Sequence, residues 1–144
     1  MKRTPLRKTG KSTNAQTKKR IQALLRELAI KTDGGCFLRN YEEAGKCGGY
    51  RKDGQLILQA EHLISRQRSV SFAEPRNIVC LCQRHHFYFK KNQGRLYWEL
   101  VERYVGEERW EWIKKVEADH KPYHFSSQDW LNAEIYLTQL INHE

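Results

Sequence analysis

The sequence predicts an α+β fold: a small strand, strand and helix core between an N-terminal helix and a group of C-terminal helices. Three observations predict it. An apolar stripe recurs at helical spacing before residue 33, a turn signal with two short apolar runs occupies the middle, and three more helical stripes follow residue 93.

Taken in order, residues 1–17 read as a basic arm with Lys2, Arg3, Arg7, Lys8 and Lys11, and too little apolar content to offset the entropy of ordering. The arm is either a solvated terminus or a phosphate-binding segment, and the two roles are compatible. A helix is expected over about residues 16–32. Ile21, Leu24, Leu25 and Leu28 form one stripe, Lys18, Lys19, Arg20 and Arg26 make the other face basic, and Asp33-Gly34-Gly35 ends it. Asp53-Gly54 signals a hairpin, and Leu56, Ile57 and Leu58 read as strand. Residues 65–76 are polar and read as a long loop. Asn77 to Leu81 reads as a second strand, and a helix is expected from near His85 to Lys91. Beyond it, Tyr97, Leu100, Val101 and Tyr104 give one stripe, closed by Gly106. Trp110, Ile113 and Val116 give another. Trp130, Ala133, Leu137, Leu140 and Ile141 give a third, capped by Ser126 or Ser127. These aromatic stripes are most simply core. The expected organisation is therefore an arm (1–17), a helix with the central core (18–92), and a helical extension packed on that core (93–144).

The chain has 144 residues and a net charge of +9, which points to an anionic partner, nucleic acid before membrane. No stretch reaches the roughly 18 apolar residues of a membrane span, and the first 20 residues contain no apolar h-region. The expected location is the cytoplasm, where four cysteines are better explained as thiols or metal ligands than as disulfides.

Two clusters of chemistry-bearing residues overlap in the middle. The first is Cys36, Cys47, Cys82 and His85. Cys82-Gln-Arg-His85 lets one tight turn offer two ligands to one ion, and zinc favours four tetrahedral Cys and His ligands. Cys36 and Cys47 supply the other thiols across a loop of ten intervening residues. Cys80 is either a small core residue or, on the same strand face as Cys82, a replacement for His85. The second cluster is Glu61-His62, Asn77 and His86. Each of these residues taken alone has an ordinary structural explanation.

Together, residues 36–91 resemble the HNH endonucleases, whose core is the ββα-metal fold. In that family an acid-His pair ends the first strand, an Asn follows a loop, and a His follows the Asn with eight residues between, as between Asn77 and His86 here. Zinc-containing members place a ligand pair directly before the last His, where this chain has Cys82 and His85. Three features depart from the pattern. Glu61 stands where Asp is usual, His85 where a second knuckle Cys is usual, and Cys36 and Cys47 are far apart in place of C-x-x-C. His85 and His86 are adjacent, so their roles are exchangeable on sequence grounds. The flanking features also resemble phage- or prophage-encoded members, which would act in the host cytoplasm.

The resemblance implies a structural Zn²⁺ and a catalytic divalent ion held by Glu61 and His86. That ion would be Mg²⁺ or Mn²⁺, with Ni²⁺ or Zn²⁺ also suited to the imidazole. It implies that His62 is the general base and Asn77 its orienting residue, giving 5′-phosphate and 3′-hydroxyl ends on double-stranded or branched DNA. Arg66, Arg68 and Arg84, and more weakly Lys90, are the expected phosphate contacts. A non-catalytic zinc-containing DNA-binding module would share the knuckle and the charge. The oligomeric state, monomer or homodimer, stays open. His120, His124 and His143 show no ligand spacing.

Overall fold

The structure is a computed structural model that describes residues 13–65, 69–119 and 123–143. The first helix, α1 (Asn14–Asp33), starts inside the predicted arm because Thr13 opens a capping box. Its side chain accepts from the Gln16 N–H at 3.2 Å, while the Gln16 side chain accepts from the Thr13 N–H at 3.0 Å. It ends as expected at Gly34, whose φ of +72° is the left-handed conformation that terminates helices.

Short 3₁₀ turns over Phe37–Asn40 and Glu42–Ala44 carry the chain to the predicted turn, where Tyr50 bridges Leu56. Strand β1 (Leu58–His62) pairs antiparallel with β2 (Ile78–Cys82), with Glu61 opposite Val79 and His62 opposite Ile78. The predicted loop 65–76 contains more structure than its polar composition indicated. A helical turn, α2 (Ser69–Phe72), and a 3₁₀ turn over Pro75–Asn77 lie within the connection. Asn77 therefore precedes β2 and does not belong to it. Pro75 at the start of that turn supplies the fixed φ.

After β2 the chain turns directly into a helix. A π-helical stretch, His85–Phe89, continues into Lys90–Asn92, and together they form α3. Three helices follow: α4 (Gly94–Val105), α5 (Glu107–Glu117) and α6 (Ser127–Asn142), the last capped by Ser126, with Asp129 completing the box. The architecture is α+β, a two-stranded sheet among helices.

All five residues of β2 are buried, since both of its faces are covered. Val79 and Leu81 join Phe37, Phe89, Tyr97 and Leu100 in a core beneath α3, α4 and α5. Ile78 and Cys80 join Leu25, Trp130 and Leu137 in a second core between the sheet, α1 and α6. Asp33 ties the two together: it accepts from the Cys80 N–H at 2.7 Å and from the Tyr104 hydroxyl at 2.6 Å.

Candidate metal centres and the β1 to α3 site

Cys36, Cys47, Cys82 and His85 converge as the sequence spacing suggested. Their ligand atoms all lie within 4.8 Å of one another. The His85 Nδ1 is 3.3 Å from the Cys36 Sγ, 3.7 Å from the Cys47 Sγ and 3.2 Å from the Cys82 Sγ. Tetrahedral zinc with ordinary Zn–S and Zn–N bonds sets such edges at roughly 3.5 Å, so the cluster could hold a metal ion such as zinc. The His85 Nε2 donates to the carbonyls of Ala44 at 3.0 Å and Gly45 at 3.2 Å. That places the ring proton on Nε2 and leaves Nδ1 to face the sulfurs.

The hydrogen bond from Cys36 pulls the Cys82 thiol down to about 3 against the opposing effect of burial, and His85 adds to it. Cys36 is pushed up by the same contact, with burial adding to it. The 36–47 loop is brought in tightly. Gly49, at φ +91°, passes so close to the chain between β2 and α3 that a Cβ there would sit 2.6 Å from Gln83.

Cys80 is not part of this cluster. It and Cys82 do not share surroundings as strand alternation predicted: Cys82 is the last residue of β2, where the chain has begun to turn into α3, whereas Cys80 packs in the α1 and α6 core. Burial pushes the Cys80 thiol up to about 12.

The second cluster is built where β1 ends against α3. Glu61 is buried. Its Oε2 lies 2.7 Å from the His86 Nε2, and its Oε1 accepts from the Lys90 ammonium. His86 and Lys90 stand one helical turn apart, which brings both to one carboxylate. Two buried polar atoms nearby have no partner among the described residues, the His86 Nδ1 and the Tyr97 hydroxyl. Burial, reinforced by the Glu61 charge, pushes the Tyr97 pKa up, and Lys90 lies over its ring. A carboxylate and an imidazole are donor types that a divalent ion takes, but here the Lys90 ammonium already occupies one Glu61 oxygen.

His62, the next residue of β1, points to the other face of the strand. Its ring stacks on Phe72 at 4.8 Å between centroids, and its Nε2 donates to the Phe72 carbonyl at 2.9 Å. Asn77 is fully buried. Its Oδ1 accepts from the Ile64 N–H at 2.6 Å and its Nδ2 donates to the Ser71 carbonyl at 2.9 Å. It holds the backbone two residues after His62 to the segment that carries Phe72. Arg109 of α5 donates at 2.7 Å to the carbonyls of Arg76 and Ile78, clamping the chain on both sides of Asn77.

The structure thus brings Glu61 to His86 and fastens His62 through Phe72 and Asn77. Arg66 and Arg68 lie outside the described residues. Arg84 donates to the Lys46 carbonyl at 2.9 Å, which gives it a part in closing the cysteine loop. Lys90, read from the sequence as a phosphate contact, has its ammonium on Glu61 instead. Sequence reasoning missed Lys90 as a partner of Glu61, although its position four residues after His86 was the available signal. It also missed Asp33, Tyr97 and Arg109, whose roles depend on distant elements.

Among the described residues no helix is long and apolar enough to cross a membrane. Comparison of the chain with protein-family models, with curated proteins and with solved structures returned no match.

Proposed function

We propose that this chain is a metal-dependent DNA endonuclease of the HNH type that hydrolyses phosphodiester bonds to 5′-phosphate and 3′-hydroxyl ends. The observation that carries the reading is the contact of Glu61 with His86 between β1 and α3. An antiparallel strand pair followed by a helix brings an acid and an imidazole together while the adjacent His62 is fixed separately. The +9 net charge suits a DNA substrate, double-stranded or branched.

Glu61 and His86 would hold a Mg²⁺ or Mn²⁺ ion, and Cys36, Cys47, Cys82 and His85 a structural Zn²⁺. When bound, the catalytic ion supplies Lewis acidity at the phosphate and at the leaving oxygen. His62 donates its Nε2 proton to the Phe72 carbonyl, so its lone pair is on Nδ1 and that atom takes the proton of the attacking water. Asn77 acts through the backbone after His62 and is a positioning residue. One such site cuts one strand at a time.

A second reading has its own observation. The Lys90 ammonium already neutralises Glu61, as it would in a zinc-containing DNA-binding module without chemistry. Supercoiled plasmid, incubated with wild type and with His62→Ala in Mg²⁺ and in Mn²⁺, separates the two. Nicking by the wild type and a loss of at least 100-fold in the variant are expected. Equal cleavage by both would remove His62 from the mechanism. No cleavage of plasmid or of a branched junction by the wild type would leave the binding module.

A further inference from the structure

On the face of β1 away from β2 lies a groove of about 300 Å³ whose lining includes Gln22 and Arg26 of α1, Arg51 of the turn, Gln59, Ala60 and His62. Among the described residues no carboxylate lines it. Arg26 donates from its Nε to the Leu58 carbonyl at 2.8 Å, so its guanidinium is fixed at the groove wall. Arg51 is exposed, and its guanidinium meets no partner among the described residues.

The floor is the outer edge of the sheet. Backbone bonds from Gln83 to Ile57 and from Leu63 to Asn77 mark the odd-numbered residues of β1 as those facing β2. By antiparallel alternation Leu58 and Ala60, both of which line the groove, turn their N–H and C=O groups away from β2. An uncovered strand edge invites pairing by another chain, and flanking positive charge discourages that. An elongated polyanion, by contrast, finds two guanidinium groups, outward N–H donors and a small Ala60 side chain that permits close approach.

We propose that this groove seats the sugar–phosphate backbone of the DNA strand, with Arg51 and Arg26 on successive phosphates and the strand running toward His62. The proposal rests on the nuclease reading and adds what the sequence did not single out: Gln22, Arg26 and Arg51 as the binding wall. It also gives a role to the side of α1 along which Lys19, Gln22 and Arg26 are spaced.

The test is DNA binding by the full chain in the His62→Ala background, read by fluorescence anisotropy of a labelled 20-base-pair duplex over a range of salt. Adding Arg51→Gln is expected to weaken binding roughly five- to tenfold at 0.1 M salt and to reduce the slope of log K against log salt by about 0.9, the loss of one phosphate contact. The melting temperature should not move, because Arg51 makes no side-chain bond to the described residues. Gln22→Glu, which adds a negative charge to the wall and removes no bond, should weaken binding as well. Arg95→Gln, whose side chain is 95% exposed on α4, is the control and should change nothing beyond the general effect of one charge. Unchanged affinity and salt slope in Arg51→Gln and Gln22→Glu would overturn the groove, and so would no measurable binding by the parent chain. If the wild type cleaves plasmid while those variants bind normally, only the groove fails. If they lose affinity while the wild type cleaves nothing, the groove stands and the nuclease reading falls.

Discussion

At the scale of single residues, Lys90 decides how Glu61 is used. Its ammonium gives the buried carboxylate the positive charge that a divalent ion would otherwise give, and both claim the same oxygens. Lys90→Met keeps an unbranched stem against Tyr97 and removes the charge. Affinity for Mn²⁺, measured by calorimetric titration of the zinc-loaded chain, is expected to rise roughly tenfold. That is a fraction of the ~4 kcal/mol exchanged by unit charges 4 Å apart at an effective dielectric of 20, the remainder being screened around a side chain 32% exposed. Glu61→Gln should abolish that binding. Equal Mn²⁺ affinity in Lys90→Met and the wild type would place the ion away from Glu61. The i, i+4 relation of His86 and Lys90 is legible in the sequence, because it depends only on helix geometry. That both reach Glu61 is not, because it depends on how β1 lies against α3. The same division holds for Asn77: its distance from His86 along the chain is readable, whereas its hydrogen bonds to Ile64 and Ser71 arise from a connection that composition alone describes as loop.

Between elements, Asp33 shows why local signals stop short. A carboxylate in the last turn of a helix opposes the macrodipole, and on sequence grounds Asp33 belongs to the stop signal of α1. In the fold it is buried, and it joins α1 to β2 through the Cys80 N–H and to α4 through the Tyr104 hydroxyl. Burial, with the Asp33 bond adding to it, pushes the Tyr104 pKa up, so the hydroxyl stays protonated and donates. Asp33→Ala orphans both donors and is expected to cost about 2–4 kcal/mol, read as a lower urea midpoint with unchanged slope. A cost below ~0.5 kcal/mol would show that water replaces the carboxylate. The helical stripes, Gly34 and the Asp53-Gly54 turn were legible because period and turn chemistry are local. The start of α1 was not read: Thr13-x-x-Gln16 is a capping signal, but it lies in a stretch whose basic composition reads as arm. The π-helical start of α3 was not legible: a single wider turn leaves no mark in a five-residue stretch, and such turns occur where side chains must be re-aimed. Here the turn carries His85 to the cysteines and His86 to Glu61.

Across the whole molecule, β2 is the wall common to two cores, and only one of them adjoins the cysteine cluster. If the cluster holds zinc, losing it has one of two outcomes: collapse of the core beneath α3 to α5 alone, or collapse of everything. The shared strand decides between them. Every residue of β2 is buried, its end carries Cys82, and Asp33 bonds its centre to both sides. Releasing Cys82 frees the 36–47 loop and the first turn of α3. β2 then loses cover on the face that bears Val79 and Leu81, and the α1 and α6 core loses the strand that floors it. Energies point the same way. Structural zinc contributes about 10–16 kcal/mol in small zinc domains, as much as the ~5–15 kcal/mol net stability of an ordinary domain. Cys82→Ser is thus expected to lose one bound zinc by atomic absorption and to lower the melting temperature by more than about 10 °C. Far-UV circular dichroism and tryptophan fluorescence should follow a single transition, since Trp110 reports one core and Trp130 the other. Cys80→Ser, in a buried site outside the cluster, should be destabilised by its hydroxyl and yet keep its zinc. Two separate transitions in Cys82→Ser would show that α1 and α6 hold their core without the strand, and retained zinc would remove Cys82 from the ligand set.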